Sequence, residues 1–293
     1  MFVKHSRLDR LMLALNAVFL TLAVLIVVLP LIYVVIASFM DPSVLLSRGL
    51  SFRISDWSAE GYKMILTNPA MLRGFANAVL YASAFAFLTV SVSVCAGYAL
   101  SDNRLKGRGV FMTLFLFTMF FGGGLIPTYL LVKNLGLLNT VWAVIIPGSV
   151  NIWNIILSRT FFKGVPNELK EASNVAGASE MRIFFSIVLP LSKPIIFVLA
   201  LYAFVGQWNA YFDAMIYLDD PKLHPLQLVL RSILIQNQVD PGMISDQLAA
   251  AEMKRLSEII KYAAIVVSSL PLIVMYPFFQ KYFEKGVLVG SIK

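Results

Sequence analysis

Ionisable chemistry is scarce in this chain. One cysteine, Cys95, and two histidines, His5 and His224, are the only thiol and imidazole groups in 293 residues. A single cysteine excludes an internal disulfide. Cys95, between Val94 and Ala96 in an apolar run, reads as a small buried hydrophobe. No pair of Cys or His has metal-ligand spacing, so no metal is expected. His224, next to Pro225, reads as a surface residue. No phosphate-cradling run ends in Gly-Lys-Ser/Thr, so the chain is expected to bind neither ATP nor another cofactor by itself. The Asp, His and Glu clusters that a lipid-modifying membrane enzyme would need are missing as well. Charge is the largest deficit. Asp, Glu, Lys and Arg make up 14% of the residues, against about 25% in soluble domains.

Hydrophobic residues fill the gap, at 59%, and the mean hydropathy is +0.79. The chain therefore reads as an all-α integral membrane protein. A helix needs roughly 20 apolar residues to cross a bilayer. Six spans meet that need, at about 11–40, 74–100, 110–131, 140–158, 191–218 and 259–281. The first apolar run is too long for a cleavable leader and lacks a small-residue cleavage site. With both termini cytoplasmic, the inside segments hold 14 of the 24 basic residues and only six acids, whereas the outside loops balance 10 basic residues against nine acids. The net charge of +8 is thus a topology signal. Nucleic-acid binding is not expected, because it needs a basic face on a soluble domain.

The second span carries Ala78, Ala82, Ser93 and Gly97 among many small residues, which suits a helix inside a bundle. In the third, Gly122-Gly123-Gly124 precedes Pro127 and Tyr129. Broken backbone in a membrane is tolerated where it is buried or lines a wet cavity. That run reads either as a kink beside a translocation path or as a close-packed outer helix end. The fourth span carries Asn151 and Asn154, amides suited to the bundle or the path.

The fifth span holds GQWNAYFDAMIYL, from Gly206 to Leu218. Trp208, Asn209, Tyr211 and Asp213 combine aromatic faces with amide and carboxylate edges, a mixture that suits a sugar. A charge at the bilayer centre costs about 2.5–3.5 kcal/mol on insertion scales, so Asp213 reads as facing a wet cavity or a partner chain. An interfacial aromatic belt, and a helix-capping role for Asp213, are the competing readings. In the outside loop 219–258, an apolar stretch from Leu226 to Ile235 precedes a polar amphipathic helix from Ile244 to Ile259. Such a loop suits either contact with an extracellular binding protein or a solvated cap.

Between the fourth and fifth spans lies a different kind of segment, ELKEASNVAGASEMRIFFSIVLPL, from Glu168 to Leu191. Asn167 supplies a helix cap and Pro166 a start signal. A first helix is expected from Glu168 to Ala176, with Gly177 as the break because Gly alone reaches left-handed backbone angles cheaply. A second follows, with Ile183, Phe184 and Ile187 on one face. Small residues at the elbow, among them Ala172, Ser173 and Ala178, let another protein approach the backbone closely. A generic amphipathic surface helix is the plainer alternative.

The pattern met by Glu171, Ala172, Ser173, Gly177, Ile187, Leu189 and Pro190 resembles the EAA coupling loop of the membrane subunits of bacterial ABC importers. Ser173 stands for the usual second Ala, and Ala176 where an acid is common. The run Gly122–Leu157, the WNAYFDA run and the tail YFEKGVLVGSIK look like carbohydrate importers of the maltose-transporter class, in the oligosaccharide and polysaccharide branch. The resemblance implies a MetI-like type I importer permease fold in the bacterial plasma membrane. It implies a second homologous permease chain, two ABC ATPase subunits that hold ATP and Mg²⁺, and an extracellular solute-binding protein. The loop 166–190 would dock on the ATPase, and Gly286, Gly290 and Lys293 of the tail would reach the ATPase interface, although a terminal Gly common after the Lys is absent. A frayed tail is the alternative. The work implied is oligosaccharide import by alternating access, with no bond broken by this chain. A non-sugar solute such as a peptide, polyamine or anion is the rival cargo.

Overall fold

The computed structural model describes residues 6–236 and 260–280. They are helical throughout, apart from loops and one isolated bridge between Met40 and Trp57. The chain divides into two compact units, Met1–Asn68 with Ser232–Ser269, and Pro69–Arg231 with Leu270–Lys293.

In the first unit, α1 (Arg7–Ser38) starts with a reciprocal cap. The Asp9 amide donates to the Ser6 hydroxyl at 3.2 Å, and the Ser6 amide donates to the Asp9 carboxylate at 2.8 Å. Beyond its charged start at Arg7, Asp9 and Arg10 the helix is apolar on nearly every side, and its most hydrophobic window is not buried at all. A helix apolar all round belongs in lipid or against other membrane helices. Two short helices follow, α2 (Pro42–Arg48) and α3 (Glu60–Thr67). Asp41 caps α2 by accepting from the Ser43 amide at 2.9 Å. Phe39 lies against Tyr62 and Trp57, and the Ser38 and Tyr62 hydroxyls bond at 2.6 Å, so the segment after α1 folds back on its end. The last helix, α14 (Ile260–Gln280), begins in this unit, with Tyr262 edge-on to Tyr33.

The second unit is built around α4 (Pro69–Ser101). It packs against α8 (Ile152–Lys163) and α11 (Lys193–Asn209). Small residues make this possible, as expected from its composition. A Cβ on Gly97 would sit 2.3 Å from Ser158 Oγ and 2.9 Å from the Arg159 nitrogen. In the space that Gly97 leaves, the Ser158 hydroxyl donates to the Ser93 carbonyl at 2.7 Å and Arg159 Nε to the Leu100 carbonyl at 3.0 Å. Cys95 departs from expectation, since it is exposed. It lies two residues, about 200° of helical rotation, from buried Ser93, which puts it on the opposite side of α4.

The expected third span is two helices, α5 (Arg108–Phe120) and α6 (Leu125–Asn134), bent by 112°. Gly124 has φ +83°, which takes the chain out of the helix at the triple glycine. The fourth is likewise interrupted, with α7 (Trp142–Ile145) separated from α8 by 146–151, where Pro147 and Gly148 fall. The fifth begins at Lys193 rather than 191 and breaks at Ala210-Tyr211 before α12 (Phe212–Tyr217). Among the described residues, three helices, α1, α4 and α14, are long and apolar enough to cross alone. Two asparagine side chains pin the segment that follows α12 through its backbone. Asn139, at φ 57°, accepts from the Asp219 and Asp220 amides, and Asn77 donates to the Lys222 and His224 carbonyls. Of the expected apolar stretch, α13 (Leu226–Gln236) is helical, while 244–259 lies outside the described residues.

Candidate functional site

The segment read as a coupling loop folds as two unlike helices. The first, α9, runs Asn167–Val175. Asn167 is its first helical residue and Pro166, in an extended conformation, is the cap, a shift of one position from expectation. None of its residues is buried. Its end is a Schellman turn: the Ala178 amide donates to the Ser173 carbonyl at 3.0 Å and the Gly177 amide to the Asn174 carbonyl at 3.0 Å. Gly177 has φ +77°, and nothing lies within 4 Å of where its Cβ would be. Backbone geometry alone therefore demands glycine there, and the space beside it is open. Glu171 and Ala172 are exposed, while Ser173 is half-buried and its hydroxyl donates to the Leu169 carbonyl at 2.6 Å.

The second helix, α10 (Glu180–Leu191), is anchored. Ser179 caps it, accepting from the Arg182 amide at 3.3 Å. Ile183, Phe184 and Val188 are buried in a core with Val94, Phe162, Ile195 and Leu199. Val188 takes the place expected for Ile187, which is only half-buried. The cause is a π turn at Phe184–Val188, whose wider repeat brings the residue five on from Ile183 to the same face. Ala178 and Leu189 pack on the edge of this core, and Pro190 is exposed. α10 then meets α11 at a bend of 77°.

A polar cleft of about 230 Å³ lies beside α9, lined by Tyr98, Asp102, Arg104, Asn167, Lys170 and Glu171 among others. Arg104 spans it, with Nη2 at 2.8 Å from Asp102 and 2.7 Å from Glu180 at the start of α10. The hydrogen bonds from Arg104 hold the Asp102 carboxyl below its usual range and push the guanidinium further up. The Lys170 ammonium sits 5.4 Å over the Tyr98 ring. Sequence reading missed Arg104, because 76 residues separate it from Glu180.

The residues expected along a sugar path have separate surroundings. Trp208 is 1% exposed, edge-on to Phe75 and stacked on Phe204, so it does not face open space here. Asn209 is exposed and donates to the Val205 carbonyl at 2.9 Å. Tyr211 is exposed, with Arg231 5.2 Å over its ring, and Asp213 is exposed in the first turn of α12. Tyr129 stacks on Tyr217. Asn151 caps α8 by accepting from the Asn154 amide, and Asn154 is buried. Gly286, Gly290 and Lys293 lie outside the described residues.

An all-helical, multi-pass membrane protein with a half-exposed elbow between its interrupted spans is a permease-type subunit. The chain belongs to the family of binding-protein-dependent transport system inner membrane components, whose model matches residues 65–289. It is 37% identical to the polygalacturonan/rhamnogalacturonan transport system permease protein YtcP of Bacillus subtilis, over 94% of this chain and 96% of that protein. It is also 37% identical to protein LplC of Bacillus subtilis, over 92% of this chain and 90% of that one. Among solved structures it resembles a bacterial ABC transporter involved in the import of the acidic polysaccharide alginate, at 30% identity and a TM-score of 0.84, covering 96% of this chain and all of that chain. The fold is the MetI-like permease fold.

Proposed function

We propose that this chain is a permease subunit of an ATP-driven importer that carries an oligosaccharide or polysaccharide fragment into the cytoplasm of a bacterium. The observation that carries the reading is the elbow, in which α9 has no buried residue and α10 is built into the core of α4, α8 and α11. A surface helix on an anchored one is a lever. The relatives' names supply the cargo class, since a polygalacturonan system and an alginate importer both move sugar polymers.

On this reading the chain crosses the bacterial plasma membrane six times, with both termini in the cytoplasm. A second homologous permease, two ATPase subunits and an extracellular solute-binding protein complete the machine. ATP and Mg²⁺ sit on the ATPases, and this chain breaks no bond. Closure of the ATPase pair moves α9 through contacts at Glu171, Ala172, Ser173 and Gly177. α10 passes the displacement to α11 across the bend, and the interrupted spans reorient to open outward. The chain's contribution is differential stabilisation of two conformations. Tyr211, Asp213 and Asn209, exposed where α11 breaks into α12, face the path, and Trp208 holds that break in place from within the core.

ATPase activity of the reconstituted complex, read with binding protein loaded with a panel of oligosaccharides, tests this. Stimulation by one sugar class is expected. Stimulation only by a loaded peptide, polyamine or anion would overturn the cargo and keep the lever. An importer ATPase that never associates with this chain would overturn the lever itself.

A further inference from the structure

A second cavity, of about 540 Å³, lies inside the joint that the lever must flex. Its walls come from three elements: Ser91 and Cys95 of α4, Phe185 and Pro190 of α10, and Ile196 and Lys193 of α11. Buried Val94 and Phe184 form its floor. The described lining is almost wholly apolar, and exposed Lys193 is the only charged residue in it. The opposed ends of α10 and α11 meet at Ser192, so their dipoles largely offset one another and the ammonium sets the sign of the rim.

Depth identifies what such a cavity takes. Cys95 is six residues, about 9 Å along the helix, from the end of α4 at Ser101. The half-thickness of a bilayer's hydrocarbon core is about 15 Å. With the charged run that begins at Asp102 taken as the headgroup level, the cavity falls within the acyl region of one leaflet, and Lys193 is the cation within reach of a headgroup. We propose that it seats an acyl chain of an anionic phospholipid, whose headgroup pairs with Lys193. On the orientation proposed above, this is a lipid of the cytoplasmic leaflet.

The test reads binding, not transport. The importer assembled with its partners is placed in discs of phosphatidylcholine containing about one part in five of phosphatidylglycerol. A phosphatidylglycerol probe with a photoactivatable acyl chain is included, and adducts are mapped by mass spectrometry. Adducts on segments 90–95 and 184–196 are expected. Lys193→Gln should lower their yield about fivefold, the factor one cation near an anionic surface carries, with adducts on α1 unchanged. Lys193→Arg should keep them. Equal yield from a phosphatidylcholine probe, unaffected by Lys193→Gln, would overturn the proposal in favour of ordinary boundary lipid. Absence of adducts there in the assembled complex would overturn it in favour of a partner chain covering the cavity. An importer of a non-sugar solute would leave every arm of this test readable.

Discussion

The two helices of the elbow share one loop and obey opposite constraints. α9 has no fully buried residue, is followed by a glycine that only backbone geometry requires, and turns Leu169 and Val175 outward, the latter 91% exposed. α10 buries Ile183, Phe184 and Val188, two of them completely, and bends its hydrogen-bond ladder into a π turn to do so. A surface meant for another protein must stay complementary but unsatisfied. A surface meant to transmit displacement must be satisfied so fully that it cannot yield. Shape at the tip and packing at the root are therefore separable by mutation.

The largest effect is expected at the tip. Gly177→Trp adds bulk into open space and forces an indole residue to φ +77°, so the ATPase should no longer co-purify while the chain still inserts in the membrane. Gly177→Ala meets no atom within 4 Å and pays only the backbone cost, about 1–2 kcal/mol. It should weaken co-purification without abolishing it. Equal loss in both variants would mean that the turn, rather than the open surface, is what the ATPase reads.

At the root the order reverses. Val188→Ala removes fully buried atoms from the core that holds α10 and should cost about 2 kcal/mol in thermal stability, with docking retained and sugar-stimulated ATPase activity uncoupled from uptake. Unchanged coupling in a destabilised variant would show that α9 alone transmits the stroke. The same contrast of buried and exposed divides the aromatic run. Trp208→Ala should lower assembly, because the indole packs between Phe75 and Phe204, whereas Asp213→Asn on exposed α12 should lower uptake with assembly intact. Uptake lost equally with unchanged assembly in both would return Trp208 to the path.

Gly177 was legible in the sequence because its reason is local, a backbone angle that one residue type reaches at little cost. The first helix was legible to within a residue at each end, Asn167–Val175 against the expected Glu168–Ala176. The bundle position of α4 followed from its small residues, whose role is equally simple. The π turn was not legible, because in FFSIV an apolar residue stands both four and five positions after Ile183, and only the tertiary core selects Val188 over Ile187. The exposure of Cys95 and the burial of Trp208 depend on which side of a helix meets which neighbour, which composition does not encode. The break at Ala210-Tyr211 was not legible, because neither residue is a glycine or a proline.

The tie between loop 102–104 and the start of α10 is the weakest part of the root, and it sharpens the comparison by its pH dependence. Arg104 lowers the Asp102 carboxyl below its ordinary value of 3.8 and reaches across to Glu180. A carboxyl depressed in the folded state adds stability above its unfolded value and loses it as pH falls through the folded one. The tie should therefore hold from neutral pH down to about 4 and weaken below that. Both partners of Arg104 are exposed enough for salt to screen them, so raising ionic strength at neutral pH should mimic part of the acid effect. Hydrogen exchange of the amides at 180–184, followed in the chain in lipid discs, is the measurement. Arg104→Gln should raise exchange slightly at pH 7 and remove the acid step. An acid step that survives Arg104→Gln would place the sensitivity outside this pair. No effect of Arg104→Gln at any pH would mean that Ile183, Phe184 and Val188 hold the root without help, and that the ion pair only follows the position the core has already set.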